Sequence, residues 1–222
     1  MKLIVLLASF VALTTAYKCC PPKQFESTMG QFGGTCTRQG KSGIFTVYGP
    51  LHYDYSKEMV ALEEYISAGE QQFKVKVIQD FNSNTQYVIM AGKCTKSDLP
   101  GSIDDTCIPD AAEYIGTNVY GLDALTADSY TYNAQQMGAN VSVGVAVTAN
   151  ECLPFGLTIF ADQPQAETIS FIGFMNVTLG IKDPSVFDIP KICDHDDIIP
   201  FKAMGNIVSD RMKRMMLTFG AR

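Results

Sequence analysis

The chain has 222 residues, of which 46% are hydrophobic and 18% charged, with 17 Lys and Arg against 23 Asp and Glu. This length suits one domain with a core of its own, and no linker divides the chain. The net charge of −6 argues against nucleic acid as a partner, and because the acidity is moderate and dispersed it indicates no particular ligand.

The first 16 residues have the three parts of a secretory signal peptide. Lys2 supplies the charge, Leu3 to Leu13 form the apolar run, and Thr14-Thr15-Ala16 supply small residues for cleavage. The apolar run is shorter than the ~20 residues of a membrane-spanning helix, so we expect cleavage before Tyr17 rather than an uncleaved anchor. The sequence therefore predicts a secreted, extracellular protein with a single domain at 17–222.

All seven cysteines lie in this mature part of the chain. An exported protein passes through an oxidising compartment, so we expect disulfides rather than zinc sites, for which a Cys-x-x-Cys motif is absent and only two histidines are available. Because seven is odd, one thiol is free or joins a second chain. The cysteines are Cys19, Cys20, Cys36, Cys94, Cys107, Cys152 and Cys193.

Short runs of β-branched and aromatic residues, separated by Gly, Pro and Asn, follow in chain order. The alternation within 73–78 predicts a half-buried antiparallel strand that forms a hairpin with 87–90. Residues 57–66 are ambiguous, because their apolar residues fit a helical period while the segment also alternates, and propensity favours a helix. The predicted strands are 25–32, 44–48, 51–55, 73–78, 87–90, 114–119, 129–132, 141–147, 157–160 and 168–179.

Two N-glycosylation sequons occur on these strands, Asn140-Val-Ser142 and Asn176-Val-Thr178. They agree with a secreted protein, and we predict that Asn140 and Asn176 lie on the surface and carry glycans.

Nearly a dozen short strands with few convincing helices predict a mainly β fold of packed antiparallel sheets. The tail at 200–222 departs from this pattern, since Val208, Met212 and Met215 fall at helical spacing among basic residues. This spacing predicts a short amphipathic helix that begins near Ser209 or Asp210 as its cap. The helix would pack on the sheets, lie on a membrane surface or be part of a mobile tail.

The block 179–193 reads Leu-Gly-Ile-Lys-Asp-Pro-Ser-Val-Phe-Asp-Ile-Pro-Lys-Ile-Cys. Gly180 and Pro184 end the preceding strand, because glycine tolerates positive φ and proline has no N–H for a sheet ladder. The apolar residues between its turn formers are too many for an ordinary solvated loop. We therefore predict that the block wraps over the core and that Cys193 holds its far end.

The chain offers few candidates for catalysis. His52 could be a general base, but neither histidine is accompanied by a Gly-x-Ser-x-Gly or His-Glu-x-x-His motif. We interpret His52 as an ordinary strand histidine, and we expect neither an enzyme nor an organic cofactor.

Carboxylates lie on both sides of Cys193, and hard oxygen ligands of this kind bind calcium. The spacing of an EF-hand is absent, so a solvated acidic turn is the first interpretation and a calcium site the alternative. The candidate calcium ligands are Asp183, Asp188, Asp194, Asp196 and Asp197.

The block 179–193 is the most specific motif of the chain. It is accompanied by the signal peptide, a cysteine before Pro21-Pro22, the aromatic strand Tyr53-Asp54-Tyr55, the hairpin 73–94 and Cys152 in a Cys-x-Pro context. In these features the chain resembles the ependymin-related family of secreted glycoproteins, over most of its mature length.

The resemblance implies two antiparallel sheets curved into a half-barrel around a deep apolar pocket, similar to bacterial lipoprotein carriers, with homodimers as the usual assembly. It also implies calcium-associated glycoproteins linked to cell–matrix adhesion. Under this resemblance Tyr53 to Tyr65 should form two strands joined near Ser56-Lys57, against the helical propensity of that segment.

The resemblance further implies a pairing of the cysteines. One cysteine of the Cys19-Cys20 pair would bridge to Cys152, with Cys20 preferred and Cys19 unpaired or its alternative, and Cys94 would bridge to Cys193. Cys36 and Cys107 depart from the family pattern, and we expect them to pair with each other. The last cysteine of the family near the C-terminus is replaced here by the Met-rich basic tail.

These inferences lead to a secreted, non-enzymatic glycoprotein that binds a lipid or another hydrophobic molecule between its sheets. The alternative is a calcium-binding extracellular protein that acts in cell–matrix adhesion. Apolar strand residues would line the pocket, although each of them could equally fill a core. The pocket candidates are Phe45, Tyr53, Tyr55, Phe73, Val75, Tyr87, Ile89, Phe171 and Phe174.

Overall fold

A computed structural model describes residues 19–99, 103, 107–136 and 139–194. The predicted signal peptide at 1–16 and the tail at 200–222, with its predicted helix, lie outside the described residues. Within those residues, no helix is long and apolar enough to cross a membrane.

The described chain forms eleven strands, and every hydrogen-bonded pair of neighbours is antiparallel. Two single-turn 3-10 helices follow the last strand, at Pro184–Phe187 and Lys191–Cys193. The strands are β1 Gln24–Thr37, β2 Ser42–Asp54, β3 Met59–Ala68, β4 Gln71–Asp80, β5 Thr85–Met90, β6 Lys93–Asp98, β7 Glu113–Tyr120, β8 Leu125–Gln136, β9 Ala139–Thr148, β10 Pro154–Asp162 and β11 Ala166–Leu179.

The strands belong to one sheet in the order β6-β5-β4-β3-β2-β1-β11-β10-β9-β8-β7. The first and last strands of the described chain therefore pair at the centre of the sheet, from Phe25 opposite Leu179 to Thr37 opposite Ala166. From that central pair each half extends outward as a simple meander, because short turns join sequential antiparallel strands. The edges of the sheet are β6 and β7.

Most strands bury alternate residues, because successive side chains of a strand point to opposite faces, although β3 and β4 also bury three successive residues each and β7 buries none. In β1 the buried residues are Phe25, Ser27, Met29, Gln31 and Gly33. The face that carries these residues is the inner face of the sheet, and the opposite one is the outer face. Residues of the inner face from β1 to β5 and from β8 to β11 belong to one hydrophobic cluster.

The predicted mainly antiparallel β fold is confirmed, with one correction. The two expected sheets are halves of a single sheet, because the β1–β11 ladder joins them without a break. Val75 and Val143, from opposite halves, are 0% and 1% exposed and share the same cluster. A flat sheet would leave such residues open to water, so the two halves curve over one another. The sheet does not close into a barrel, because its edge strands β6 and β7 are not paired with each other.

The prediction of a helix at 57–66, which propensity favours, is wrong. A turn at 55–58 leads instead into strand β3, as the family resemblance implies. β3 lies between β2 and β4, where Val60, Leu62 and Ile66 face the core and Tyr65 is exposed. Pairing on both sides and burial of alternate residues outweigh a local preference of a few tenths of a kcal/mol per residue.

Three disulfides join distant parts of the chain. Cys94 pairs with Cys193, the pairing that the resemblance implies, across 99 residues. Cys152 pairs with Cys19 rather than with Cys20, and Cys20 pairs with Cys107. The expected Cys36–Cys107 bridge is wrong, because Cys36 lies exposed at the far end of β1.

The position of the segment 107–109 explains this difference. The backbone N–H of Ile108 donates a hydrogen bond to the Cys19 carbonyl, at 3.0 Å. The segment therefore runs beside the N-terminal end of the domain, where two adjacent cysteines reach Cys152 on one side and Cys107 on the other.

The block 179–193 runs from the central strand pair to the β6 edge. After β11, the Gly180 N–H bonds to the Gln24 carbonyl at 3.0 Å, and the Lys182 N–H donates to the Glu26 carboxylate at 2.9 Å. Phe187 is then buried beside β3, and Cys193 is bound to β6 through Cys94. The block crosses the end of one half-sheet as a strap that a disulfide fastens.

Gly49 allows β2 and β3 to approach closely. A Cβ atom at this position would lie 1.8 Å from the carbonyl oxygen of Glu63, which is backbone and cannot rotate away. We expect Gly49→Ala to lower the free energy of unfolding by at least about 2 kcal/mol, measured by urea denaturation.

Gly173→Ala on β11 is the matched control, because a Cβ atom there meets nothing within 4 Å. Its effect should stay within about 0.5 kcal/mol. Equal losses in the two variants would contradict the close approach of β2 and β3.

Candidate functional site

The candidate site is an apolar cleft on the inner face of β8, β9 and β10. Strand residues form its floor, and Pro21 with the segment 107–109 forms its cover. The disulfides Cys20–Cys107 and Cys19–Cys152 attach this cover to the rest of the domain. The cleft is lined by Pro21, Cys107, Ile108, Pro109, Tyr132, Val145, Ala146, Val147, Pro154, Gly156, Leu157 and Phe174.

The cleft is narrow when the cover is in place. Its free volume for the centre of a water-sized sphere is about 10 Å³, the space of roughly one water molecule. Its lining is aliphatic and aromatic, apart from the Tyr132 hydroxyl and backbone groups. A larger hydrophobic molecule would therefore enter only if the cover moves away from the strands.

The predicted pocket residues fall into three groups. Phe45, Tyr53, Val75 and Phe174 are buried on the inner face, and Tyr53 stacks on Phe25 with ring centroids 5.3 Å apart. Tyr55, Tyr87 and Ile89 are half-buried. Phe73 and Phe171 are exposed, and of all nine candidates only Phe174 lines the cleft.

Phe171 and Phe174 show why the prediction was wrong for some residues. They are three positions apart on one strand, so they point to opposite faces. Phe174 is 7% exposed on the inner face, while Phe171 is 49% exposed on the outer face. Both residues were predicted to line the pocket because they are aromatic. Only their odd or even position along β11 decides which face of the sheet each one lies on.

Tyr132, Leu157 and Ile108 line the cleft but were not predicted. A signal for the floor was present, because β9 carries valine at 141, 143, 145 and 147 with small residues between them. The cover had no such signal, since a polar loop that carries one cysteine does not reveal what it packs against.

The inner face also contains buried polar side chains. Gln79 donates through Nε2 to the Gln86 Oε1 atom at 2.8 Å. Other buried polar atoms have no hydrogen-bond partner in the described structure, and each such atom destabilises the fold because it has lost its contacts with water. They are Ser27 Oγ, Gln31 Oε1, Glu64 Oε1, Gln79 Oε1 and Gln86 Nε2.

Glu64 is the most unusual of these residues, because it is an acidic residue that is only 2% exposed, on the inner face of β3. Burial disfavours the charged form and raises the pKa of Glu64 from 4.5 to about 7. Burial likewise raises the pKa of Tyr132 to about 12, so the tyrosine in the cleft stays neutral at physiological pH.

His52 lies on β2 as a strand histidine. Its Nδ1 atom is 3.3 Å from the Glu26 Oε1 atom, the same oxygen that accepts a hydrogen bond from the Lys182 N–H. The histidine therefore sits beside the strap and contributes to a polar contact between β1, β2 and that strap.

The candidate calcium ligands do not meet in the described part of the chain. Asp183 caps the first 3-10 helix by accepting a hydrogen bond from the Ser185 N–H at 3.0 Å. Hydrogen bonding with the Ser185 side chain, and then with its N–H, holds the pKa of Asp183 below its usual value. Asp188 ends the same helix and Asp194 ends the second one. Among the residues described, no three Asp, Glu, His or Cys side chains are arranged to hold a metal, and Asp196 and Asp197 lie outside them.

Both sequon asparagines have exposed side chains, Asn140 on β9 and Asn176 on β11. They are therefore accessible for modification, and their glycosylation stays a prediction.

Comparison with known proteins identifies relatives of the chain. The family model described as Ependymin matches residues 69–193. Ependymin-related protein 1 of Haliotis asinina is 30% identical over 79% of this chain and 90% of that protein. Ependymin-related protein 2 of the same organism is 28% identical over 87% of this chain and 98% of that protein.

Among solved structures, the crystal structure of a beta-barrel-like protein of domain of unknown function DUF1849 from Brucella abortus is similar in part. It is 6% identical, covers 73% of this chain and 100% of that one, and has a TM-score of 0.27. That score is too low to support an argument about fold or function.

The buried carboxyl of Glu64 predicts an unusual dependence of stability on pH. Between pH 4.5 and 7 the folded protein keeps a proton that the unfolded chain has lost, so stability falls as pH rises through this window. At about 1.4 kcal/mol per pH unit, the loss reaches about 3 kcal/mol above pH 7. We expect Glu64→Gln to remove it, so that urea denaturation finds the variant more stable than the wild type at pH 8 and similar at pH 4.

Glu63→Gln is the control, because the adjacent carboxylate faces outward and forms an exposed ion pair with Lys74. Its effect should stay below about 1 kcal/mol at both pH values. The same pH dependence in the wild type and in Glu64→Gln would contradict the burial of an unpaired carboxyl group.

Proposed function

The chain belongs to the ependymin family, and from this premise we propose that it is a secreted, non-enzymatic glycoprotein that binds a lipid or similar hydrophobic molecule on the inner face of its curved sheet. We further propose that it does so as a homodimer. One structural observation supports the binding function above the others: the cleft between the inner face and its disulfide-attached cover.

The cover explains how an apolar site can be both closed and accessible. It is a short segment rather than a strand of the sheet, so it can move without breaking the β ladders that hold the fold. Its displacement would expose Val145, Leu157 and Phe174 to a ligand, and the apolar area removed from water would favour binding by about 25 cal/mol per Å².

The polar atoms of the inner face are compatible with an amphipathic ligand. Ser27 Oγ, Gln31 Oε1 and Glu64 Oε1 are buried without partners on β1 and β3, outside the cleft lining. A lipid that extends from the cleft along the inner face would bring a hydroxyl or amide group to these atoms, which would then gain hydrogen bonds. A pure hydrocarbon would leave these atoms unsatisfied. We therefore propose a ligand with an apolar chain and a hydrogen-bonding head.

The contacts of His52 support a non-enzymatic function. His52 contacts Glu26 beside the strap and lies in a strand outside the cleft lining. A contact of this kind orients a structural histidine and does not form the nucleophile and base pair of a hydrolase.

Filling the cleft should prevent ligand binding. Leu157→Trp adds an indole to a floor residue, so we expect the dissociation constant for a fluorescent C16 fatty acid to rise at least tenfold. Native mass spectrometry of wild-type protein from its own host should detect a lipid that is absent from the variant.

Ile115→Trp is the matched control, because Ile115 is 65% exposed on β7 and should leave binding unchanged. Thermal unfolding verifies that Leu157→Trp is folded, and Ala146→Leu replaces it if overpacking prevents folding. If the wild type carries no co-purified lipid and also takes up no fatty-acid probe, the binding function is rejected.

The alternative function is calcium-dependent adhesion to the extracellular matrix, which the family resemblance implies. Asp183 and Asp188 on the strap and Asp194 directly after it are exposed, so they are accessible to a hydrated cation. Under this alternative, calorimetry should detect calcium binding with a dissociation constant of about 0.1–1 mM, as in extracellular calcium modules.

Asp194→Asn combined with Asp197→Asn should abolish that binding and weaken matrix adhesion to the level seen with chelator. Asp123→Asn, in the turn between β7 and β8, is the control and should have no effect. An unchanged matrix-binding curve in the double variant would remove the alternative.

A further inference from the structure

Two carboxyl groups in the described chain are buried, and they differ in their surroundings. Asp54 is 1% exposed, and its carboxylate accepts hydrogen bonds from Gln24 Nε2, Ser56 Oγ and the Lys57 N–H. Glu64 is 2% exposed, and its Oε1 atom has no hydrogen-bond partner in the described structure. A buried carboxylate is unfavourable unless donors or a positive charge meet it, so Asp54 is satisfied and Glu64 is not.

Two further unpartnered atoms lie on the same inner face. Ser27 and Gln31 of β1 are 6% and 7% exposed, and Ser27 Oγ and Gln31 Oε1 are without hydrogen-bond partners among the described residues. Each of them is two positions from Met29, one on either side, a spacing of about 7 Å along a strand. Ser27 and Gln31 therefore flank Met29.

One row of residues on the inner face joins Glu64 to the cleft. Met29 is paired with Phe174 of β11, which lines the cleft, and on its other side with Gly49 of β2. Gly49 lies against Glu64, because a Cβ atom built on it would be 3.2 Å from the Glu64 Cα atom. Glu64 is thus three strands from Phe174, about 14 Å at the usual strand spacing. A long alkyl chain in the cleft would bring its head to Glu64.

The two positions between Phe174 and Glu64 can accommodate such a chain. Gly49 has no side chain. Met29 belongs to the hydrophobic core, and its unbranched thioether side chain adapts to a new neighbour more readily than a branched or aromatic one. A shift of Met29 would open this row without displacing a strand.

The unpartnered atoms around this row all accept hydrogen bonds. An ionised carboxylate and an amide oxygen are acceptors only, and a serine hydroxyl accepts as well as donates. A ligand head that satisfies them must therefore supply donors. A fatty-acid carboxylate supplies none and adds a second negative charge. A primary ammonium group supplies three N–H donors and the positive charge that Glu64 lacks.

The surroundings of Glu64 contribute no charge of their own. Gly49 and Val75 are its neighbours on β2 and β4, and burial is the cause that raises the pKa of Glu64 to about 7. The titratable groups of the hydrophobic cluster beside it are phenols, which are neutral at physiological pH. They belong to Tyr53, Tyr55 and Tyr132.

We propose that Glu64, together with Gln31 and Ser27, forms a head site that selects amphipathic ligands with a primary ammonium group at the end of an apolar chain. The ammonium group would pair with the Glu64 carboxylate, and the chain would extend past Met29 into the cleft at Phe174. This inference rests on the hydrophobic-ligand function proposed above, and it specifies the chemical class of the ligand.

Pairing at the head site links binding to a proton. Glu64 is mostly protonated below pH 7, whereas a primary amine keeps its proton up to about pH 10. At pH 6 the ammonium group can pair only after Glu64 has released its proton, and at pH 8 the carboxylate is already ionised. We therefore expect the affinity for the amine to rise with pH up to about 7 and to level off above it.

The test compares dodecylamine, dodecan-1-ol and dodecanoate, which share one chain length, by titration calorimetry with the full chain. At pH 8 the wild type should bind the amine at least tenfold more tightly than the alcohol, and dodecanoate most weakly. From pH 8 to pH 6 the dissociation constant for the amine should rise about tenfold. Two buffers with different ionisation enthalpies should find about one proton released per amine at pH 6.

Glu64→Gln should remove the preference for the amine while keeping the size of the side chain. At pH 8 its dissociation constant for the amine should rise at least tenfold, that for the alcohol should change less than twofold, and proton release should disappear at pH 6. Urea denaturation verifies that the variant is folded. Gln31→Met, which removes one acceptor at similar volume, is the second variant and should weaken only amine binding.

Glu63→Gln is the matched control, because this neighbouring carboxylate faces outward and pairs with Lys74. It should leave the three dissociation constants and the proton release unchanged.

The outcomes separate the head site from the proposed function. A wild type that binds the amine no more tightly than the alcohol, or a preference for the amine that survives in Glu64→Gln, would keep the binding of hydrophobic molecules and overturn the head site. A wild type that binds none of the three ligands at either pH would overturn both.

Discussion

The antiparallel ladder between β1 and β11 is the contact on which the rest of the fold depends. It joins the two ends of the domain in sequence, and each half of the sheet extends from it as a meander. Without it the chain would contain two separate hairpin arrays, each with an uncovered apolar face. With it, the inner faces curve over one core to which residues of both halves contribute. The strap 179–193 and the Cys94–Cys193 bridge then fasten the end of β11 to the β6 edge.

The two faces of this sheet present different physical problems. The inner face buries polar atoms of Ser27, Gln31 and Glu64 without partners, so part of the stability gained from burial of apolar surface is lost. The outer face leaves large apolar side chains such as Phe32 and Phe171 in water. Both arrangements are unfavourable for an isolated monomer. Under the proposed function, a ligand on the inner face would relieve the first of them.

Disulfides determine which parts of the structure can move. Cys19 and Cys20 attach the start of the domain to β9–β10 and to the segment 107–109, so the cover of the cleft is tethered without belonging to the sheet. Under the proposed function a tethered cover would open without being lost, and the β ladders beneath it would remain intact. The sheet would then position the apolar floor, while the short covering segment would control access to it.

Local patterns in the sequence determined the strands, the family and the strap. Alternation at 73–78 and 141–147 marks β4 and β9 because neighbouring side chains of a strand point to opposite faces, which is a property of the local backbone. The block 179–193 identified the family for the same reason, since its turn residues and its terminal cysteine are adjacent in sequence. The alternating valines of β9 also carried a signal for part of the cleft floor.

Only the tertiary structure decided which of these residues meet. The continuity of the sheet depends on β1 pairing with β11, more than 100 residues away, and the strand at 59–68 depends on two neighbours that outweigh a helical preference. The partners of Cys19, Cys20 and Cys107 follow from the path of a loop, and the exposure of Phe171 follows from its parity on β11. Each of these features is determined by contacts between segments that are distant in the chain. Composition and periodicity are local properties of the sequence, so they do not predict such contacts.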